Sequence, residues 1–101
     1  MRFTARADGD FGIGAADSRD GRMRAVVDRP WQTARQVHGS RVVVVDRTTE
    51  RCGDADALVT TDPTIALAVR TADCAAIALA SDEGVVAITH AGWRGLVAGV
   101  I

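Results

Sequence analysis

The chain is sparing with the residues that usually carry chemistry and has almost no charge imbalance. Two histidines and two cysteines stand among 101 residues, and the net charge is -1. Such a balance gives no electrostatic footprint for nucleic acid or an anionic membrane surface, since that binding depends on excess Lys and Arg neutralising phosphates. The arginines are scattered, with no basic block and no ladder of interleaved aromatics. No stretch approaches the ~18 uncharged apolar residues of a membrane-spanning helix. Met1 to Asp10 carries Arg2, Arg6, Asp8 and Asp10 and has no apolar core of a signal peptide. These absences point to a cytoplasmic protein whose cysteines are thiols, metal ligands or nucleophiles rather than disulfide partners. Local signatures are missing as well. There is no C-x-x-C pair, and Gly12-x-Gly14 meets Asp17 where a dinucleotide fingerprint needs a third glycine.

What is present is ordinary globular composition, 48% hydrophobic and 25% charged, enough for one core in one domain. Arg2 to Arg6 reads as a short strand, the Gly- and Asp-rich stretch from Ala7 to Gly21 as a loop, and Arg24 to Asp28 as a strand stopped by Pro30. Gln32 to Val37 is extended and runs into a turn at His38-Gly39-Ser40. The valine run from Val42 to Asp46 reads as a strand buried on both faces, because β-branched residues suit a pleated, covered surface. Thr48 to Asp54 is a polar loop. Strands are expected at Asp56 to Thr60, Ile65 to Arg70, Cys74 to Ala80 and Val85 to Thr89, the last two joined by a hairpin-like turn at Ser81-Asp82-Glu83-Gly84. A helix is expected from about Trp93 to the end, with no Gly or Pro to stop it. Gly95 and Gly99, four apart, suggest close packing of one helix face. The expected class is α+β, a mixed sheet with a flanking helix.

Both histidines sit at strand edges beside a glycine, in Val37-His38-Gly39 and Thr89-His90-Ala91-Gly92, and Cys74 opens an apolar segment. Two imidazoles and a thiolate make the three-ligand set of a catalytic zinc site, which leaves a fourth position open. The plainer alternative is two satisfied histidines near turns and a buried thiol acting as a small hydrophobe. A metal-free cysteine nucleophile with a histidine base is a third. Gly92, Trp93 and Arg94 follow a strand end and open a helix, where free N–H groups and a guanidinium suit an oxyanion. The alternative is a tight turn with Arg94 in solvent. Trp93 is either a stacking surface or a core anchor. Asp73, beside Cys74, is a candidate general base or ligand orienter. Asp54 and Asp56 are assigned turn and strand-edge roles, and Cys52 is incidental.

Taken in order, Gln36-Val37-His38-Gly39, Ala55-Asp56-Ala57-Leu58-Val59-Thr60, Thr71-Ala72-Asp73-Cys74 and His90-Ala91-Gly92-Trp93-Arg94-Gly95 with Ala98-Gly99 closely resemble the YfiH-like laccase-domain family, also called multicopper polyphenol oxidases. The resemblance covers roughly residues 30 to 101. It implies a YfiH-like fold, of which this chain is the N-terminal part and an incomplete domain, since family members run to about twice this length. It implies zinc held by His38, Cys74 and His90, and purine nucleoside phosphorylase activity with adenosine deaminase and methylthioadenosine phosphorylase activities beside it. Cys74, Asp73 and His90 would then be catalytic, and Arg94, Gly92 and Trp93 would hold phosphate and nucleoside. The family's usual Leu-Asn-Leu stretch is absent between Asp10 and Asp28. Three rivals remain. One is a copper-dependent phenol oxidase, ranked lower because copper centres need more His and Cys. Another is an inactive metal-binding fragment that self-associates or pairs through its uncovered C-terminal helix. The last is the metal-free cysteine hydrolase.

Overall fold

The computed structural model describes residues 16–101, and the strand expected at Arg2 to Arg6 and the Gly12-x-Gly14 motif lie outside them. The elements are α1 (Ala16–Val26), β1 (Trp31–Gln32), β2 (Val42–Val44), β3 (Ala57–Thr60), β4 (Ala66–Leu67), β5 (Ala75–Ala80), β6 (Val86–Ala91) and α2 (Trp93–Val97). Four strands form a mixed sheet in the order β2-β3-β6-β5, and β1 and β4 pair as a small parallel ribbon. The expected α+β class with a mixed sheet and a flanking helix is what the chain adopts.

Strand directions decide where the chemistry can lie. β2 runs parallel to β3, β6 runs antiparallel to both of its neighbours, and β5 therefore runs with β3. The starts of β2, β3 and β5 and the end of β6 all lie at one edge of the sheet. The β5–β6 hairpin closes at the opposite edge as its sequence suggested: Ser81 N–H donates to Val85 O, and Gly84 takes φ +83, which glycine adopts without steric cost. The core joins Val45, Cys52, Leu58 and Ile65, with Ala34, Val43, Leu67 and Ile88 packed around them.

Several local expectations are corrected. The stretch taken as loop and strand, Ala7 to Gly21 followed by Arg24 to Asp28, contains α1 over Ala16–Val26. Met23 and Val26, three apart, both turn inward, and Pro30 stops the chain four residues after the helix rather than ending a strand. The Val42–Val44 run is not covered on both faces. β2 is an edge strand, and Val42 and Val44 face outward, Val44 with 77% of its surface exposed. Only Ala66–Leu67 of the strand expected at Ile65 to Arg70 forms a ladder, because β1 offers just two partners. Cys52 is no loop bystander. It is buried in the core, which raises its thiol pKa through desolvation.

The last helix also stops short of the end. Gly99 sits in the left-handed region at φ +82, its N–H donates to Leu96 O, and Val100 N–H donates to Gly95 O. That pair of hydrogen bonds is a Schellman stop, and the buried Val100 closes over it. Gly99 is thus the terminating signal, while Gly95 supplies the close packing. A Cβ on Gly95 would meet the carbonyl oxygen of Gly39 at 2.7 Å. Gly95→Ala must push α2 off the His38 turn and should cost about 1–3 kcal/mol, as overpacking does. A thermal melt should show Tm lower by ~5 °C or more, and an unchanged Tm would mean the backbones are not in contact.

Candidate metal centre

His38, Cys74 and His90 converge at the strand-start edge of the sheet. Their ligating atoms all lie within 4.8 Å of one another. Each arrives by a different route. His90 is the fifth residue of β6, buried, with its amide donating to Asp56 O at 2.7 Å. Cys74 stands one residue before β5. The β5–β6 register pairs Ala75 with Ala91, so Cys74 comes opposite Gly92 one step beyond the ladder. His38 comes from the turn before β2, at φ +59, a left-handed conformation that few non-glycine residues adopt. The two imidazoles meet edge to face, ring centroids 4.7 Å apart and planes at 80°.

Two further side chains hold these routes together. Gln36 donates to Arg70 O at 2.7 Å and accepts from Arg70 N–H at 2.8 Å, so it ties the His38 turn to the segment that carries Cys74. Asp56, 1% exposed, ties it to His90. Its Oδ2 accepts from the amides of Val37 (3.1 Å) and Gly39 (2.8 Å), and its Oδ1 from the amide of His38 (2.9 Å) and from His90 Nδ1 (2.7 Å). An ionised carboxylate can only accept, so His90 carries a proton on Nδ1 and turns Nε2 away from Asp56. Burial is the largest influence on the Asp56 pKa and raises it. The His90 N–H and the amides of Gly39, Val37 and His38 together outweigh burial and leave the carboxyl below its ordinary range. Nearby, backbone bonds from Arg35 N–H to Gly53 O and from Ala55 N–H to Arg35 O bring the Asp56 segment alongside the turn.

Neither tying residue was recognised from sequence. Asp56 was read as a strand-edge residue. The signal for more was its place between Ala55 and Ala57-Leu58-Val59: a carboxylate inside a run that will be buried must find donors. Gln36 belongs to the Gln36-Val37-His38-Gly39 motif, but its bracing role has no local signal, because its partner is backbone 34 positions away.

The other sequence candidates fall around the trio. A Cβ on Gly92 would meet His38 Cδ2 at 3.0 Å and Cys74 Sγ at 3.2 Å, so the main chain there lines the ligands directly. Trp93 is no core anchor, being 72% exposed, and the Arg94 guanidinium lies 5.5 Å from its ring centroid, in cation–π range. Asp73 is exposed on the bend before Cys74. α2 is only five residues long, too short for its dipole to hold an oxyanion, which leaves the Arg94 guanidinium as the candidate group.

Two imidazoles and a thiol, with one imidazole braced by a buried carboxylate, form a donor set that suits zinc and related soft or borderline divalent ions. Gly92→Ala keeps an allowed backbone at φ -77 yet crowds two of the three ligands. It should leave the far-UV circular dichroism unchanged and weaken zinc binding by ~10-fold or more in a chelator competition. Wild-type affinity in that variant would remove Gly92 from the site.

Comparison with known proteins shows what the chain is similar to. A purine nucleoside phosphorylase of Streptomyces coelicolor is 50% identical over 72 residues, covering 65% of this chain and 28% of the relative. Adenosine deaminase RL5, from an unknown prokaryotic organism, is 42% identical over 73 residues, 62% of this chain and 28% of that protein. The matched segment spans 28% of the length of each of these two relatives. A solved Neisseria meningitidis protein of the DUF152 group superposes with a TM-score of 0.77 at 33% identity, over 88% of this chain and 37% of that one. Residues 15–101 match the family described as multi-copper polyphenol oxidoreductase laccase. With nearly all of its length inside that match and the fold of its solved relative, the chain belongs to this laccase-domain family.

Proposed function

We propose that the chain is the N-terminal part of a single-domain, zinc-dependent purine nucleoside phosphorylase, with adenosine deamination as a second activity of the same site. The observation that carries this is the convergence of His38, Cys74 and His90. The names of the Streptomyces coelicolor and RL5 relatives supply the two reactions. The substrates would be adenosine, inosine, guanosine or methylthioadenosine, together with phosphate.

In phosphorolysis a phosphate oxygen forms a bond to C1′ of the ribose as the C1′–N9 bond breaks. The electron pair leaves on the purine, which takes up a proton. His38 Nδ1 or Nε2, Cys74 Sγ and His90 Nε2 would hold zinc, which supplies Lewis acidity to a polarised oxygen. Arg94 offers a planar, permanently charged fork for phosphate. Trp93 exposes a ring face for the purine. Gly92 lets substrate approach the ligands without a side chain in the way. Asp73, exposed beside Cys74, would exchange the proton that the departing base requires. In deamination, water would add to C6 of the purine and ammonia would leave.

The copper reading shares these donors, since two His and a Cys also serve single copper centres. A multicopper oxidase needs further copper ligands, and both histidines of this chain are already in the trio. Both cysteines are free thiols, which suits a cytoplasmic location. Self-association would use Trp93, Leu96, Val97 and Ile101, apolar and exposed on and after α2.

The test is elemental analysis of the wild type and His38→Ala, with phosphate-dependent release of adenine or hypoxanthine from adenosine or inosine. The expected result is about one zinc per chain, lost in His38→Ala, and base release only with phosphate. Copper in place of zinc, or no metal, overturns the zinc reading. Zinc without turnover overturns activity for this length of chain and leaves a metal-binding fragment. Where turnover is present, Arg94→Lys should raise the KM for phosphate by ~10-fold or more through loss of the bidentate fork. An unchanged KM would take Arg94 out of the site.

A further inference from the structure

We infer that Asp56 is the positioning residue of the metal centre: one buried carboxylate sets the tautomer of His90 and the unusual backbone of His38 at the same time. The inference rests on reading the trio as metal ligands.

Four donors converge on the two Asp56 oxygens. Three are successive amides of the His38 turn, and the fourth is the His90 ring. The side chain has no solvent exposure, so no water can stand in for a missing partner. A buried carboxylate without donors would cost several kcal/mol, and here every donor belongs to a ligand residue or its neighbour. At His38 the three amides hold a turn that the residue's own φ of +59 disfavours. At His90 the same Oδ1 that accepts from the His38 amide takes the Nδ1 proton. Rotating His90 out of the site would therefore strip a partner from the oxygen that also holds His38. The two imidazoles are positioned as a pair, by one group from outside the ligand set.

Asparagine is close to isosteric and separates positioning from bulk. With its oxygen at the Oδ1 place, its NH2 opposes the amides of Val37 and Gly39 and loosens the turn. With its oxygen at the Oδ2 place, its NH2 faces His90 Nδ1 and favours the Nε2–H tautomer, which leaves no lone pair on Nε2 for a metal. Either arrangement spoils one ligand.

The experiment compares zinc affinity by chelator competition, the visible spectrum of the cobalt-substituted protein, and the His90 ring-nitrogen tautomer by long-range 1H–15N NMR of the metal-free protein. Wild type, Asp56→Asn and Leu58→Ala are the samples, the last removing a core side chain that is neither a donor to Asp56 nor one of the trio. The metal-free wild type should show His90 protonated at Nδ1. Asp56→Asn should keep its circular dichroism, lose zinc affinity by ~10- to 100-fold and alter the cobalt thiolate and ligand-field bands. Leu58→Ala should bind as wild type does. Wild-type affinity and an unaltered cobalt spectrum in Asp56→Asn overturn the inference, and so does an equal loss in Leu58→Ala. If Asp56→Asn does not fold, the wild-type tautomer decides: His90 protonated at Nε2 overturns it. A wild type that binds no metal defeats the metal reading alone, and the NMR measurement still shows whether Asp56 sets His90.

Discussion

The site depends on a carboxylate surrounded by hydrogen-bond donors. Asp56 sits just before β3, out of water, and the chain around it is arranged to supply what a buried anion demands. The turn at Val37-His38-Gly39 directs three amides toward it, and β6 places His90 across from it, joined through both backbone and side chain. Remove those donors and the carboxylate becomes an expensive defect. Keep them, and the positions of two imidazoles follow. The interaction that makes the carboxylate tolerable is the one that orders the centre.

Around that interaction the fold adds close contact. β6 runs against its neighbours, so its end meets the starts of β3 and β5, and Cys74 arrives opposite Gly92. Where side chains must converge, main chain takes the remaining space. Gly92 abuts His38 and Cys74, and Gly95 abuts the carbonyl of Gly39. These glycines act through the absence of a Cβ rather than through backbone freedom, since Gly92 has an ordinary extended conformation. Gly99 is the opposite case, present for its left-handed φ at the helix stop.

The outer surface has a different character. Val44, Leu79, Trp93, Leu96, Val97 and Ile101 leave much of their area in solvent, and a 101-residue chain has limited surface to cover them. The matched relatives are more than three times the length of the segment they share with this chain. Among the described residues the trio comes together, and the apolar surface of β2, β5 and α2 has no covering layer.

The amino-acid sequence by itself determined the class of fold and the hairpin at Ser81–Gly84, and it singled out His38, Cys74 and His90, which the structure brings together. It could do so because these are statements about residue type and local pattern: alternating apolar runs, turn residues, and the few imidazoles and thiols the chain contains. The ordered motifs also gave the family. It misjudged α1, because a Gly- and Asp-rich stretch has weak helical periodicity, and it misjudged the burial of Val44, because a valine run looks the same at the edge of a sheet as at its centre. Only the tertiary structure decided that Asp56 belongs to the centre, that Gln36 braces the Cys74 segment, and that Trp93 faces solvent. Each of these depends on a partner 17 or more positions away, or on the absence of any covering group. Pairing at that distance is set by strand direction and register, which no local pattern of residues encodes.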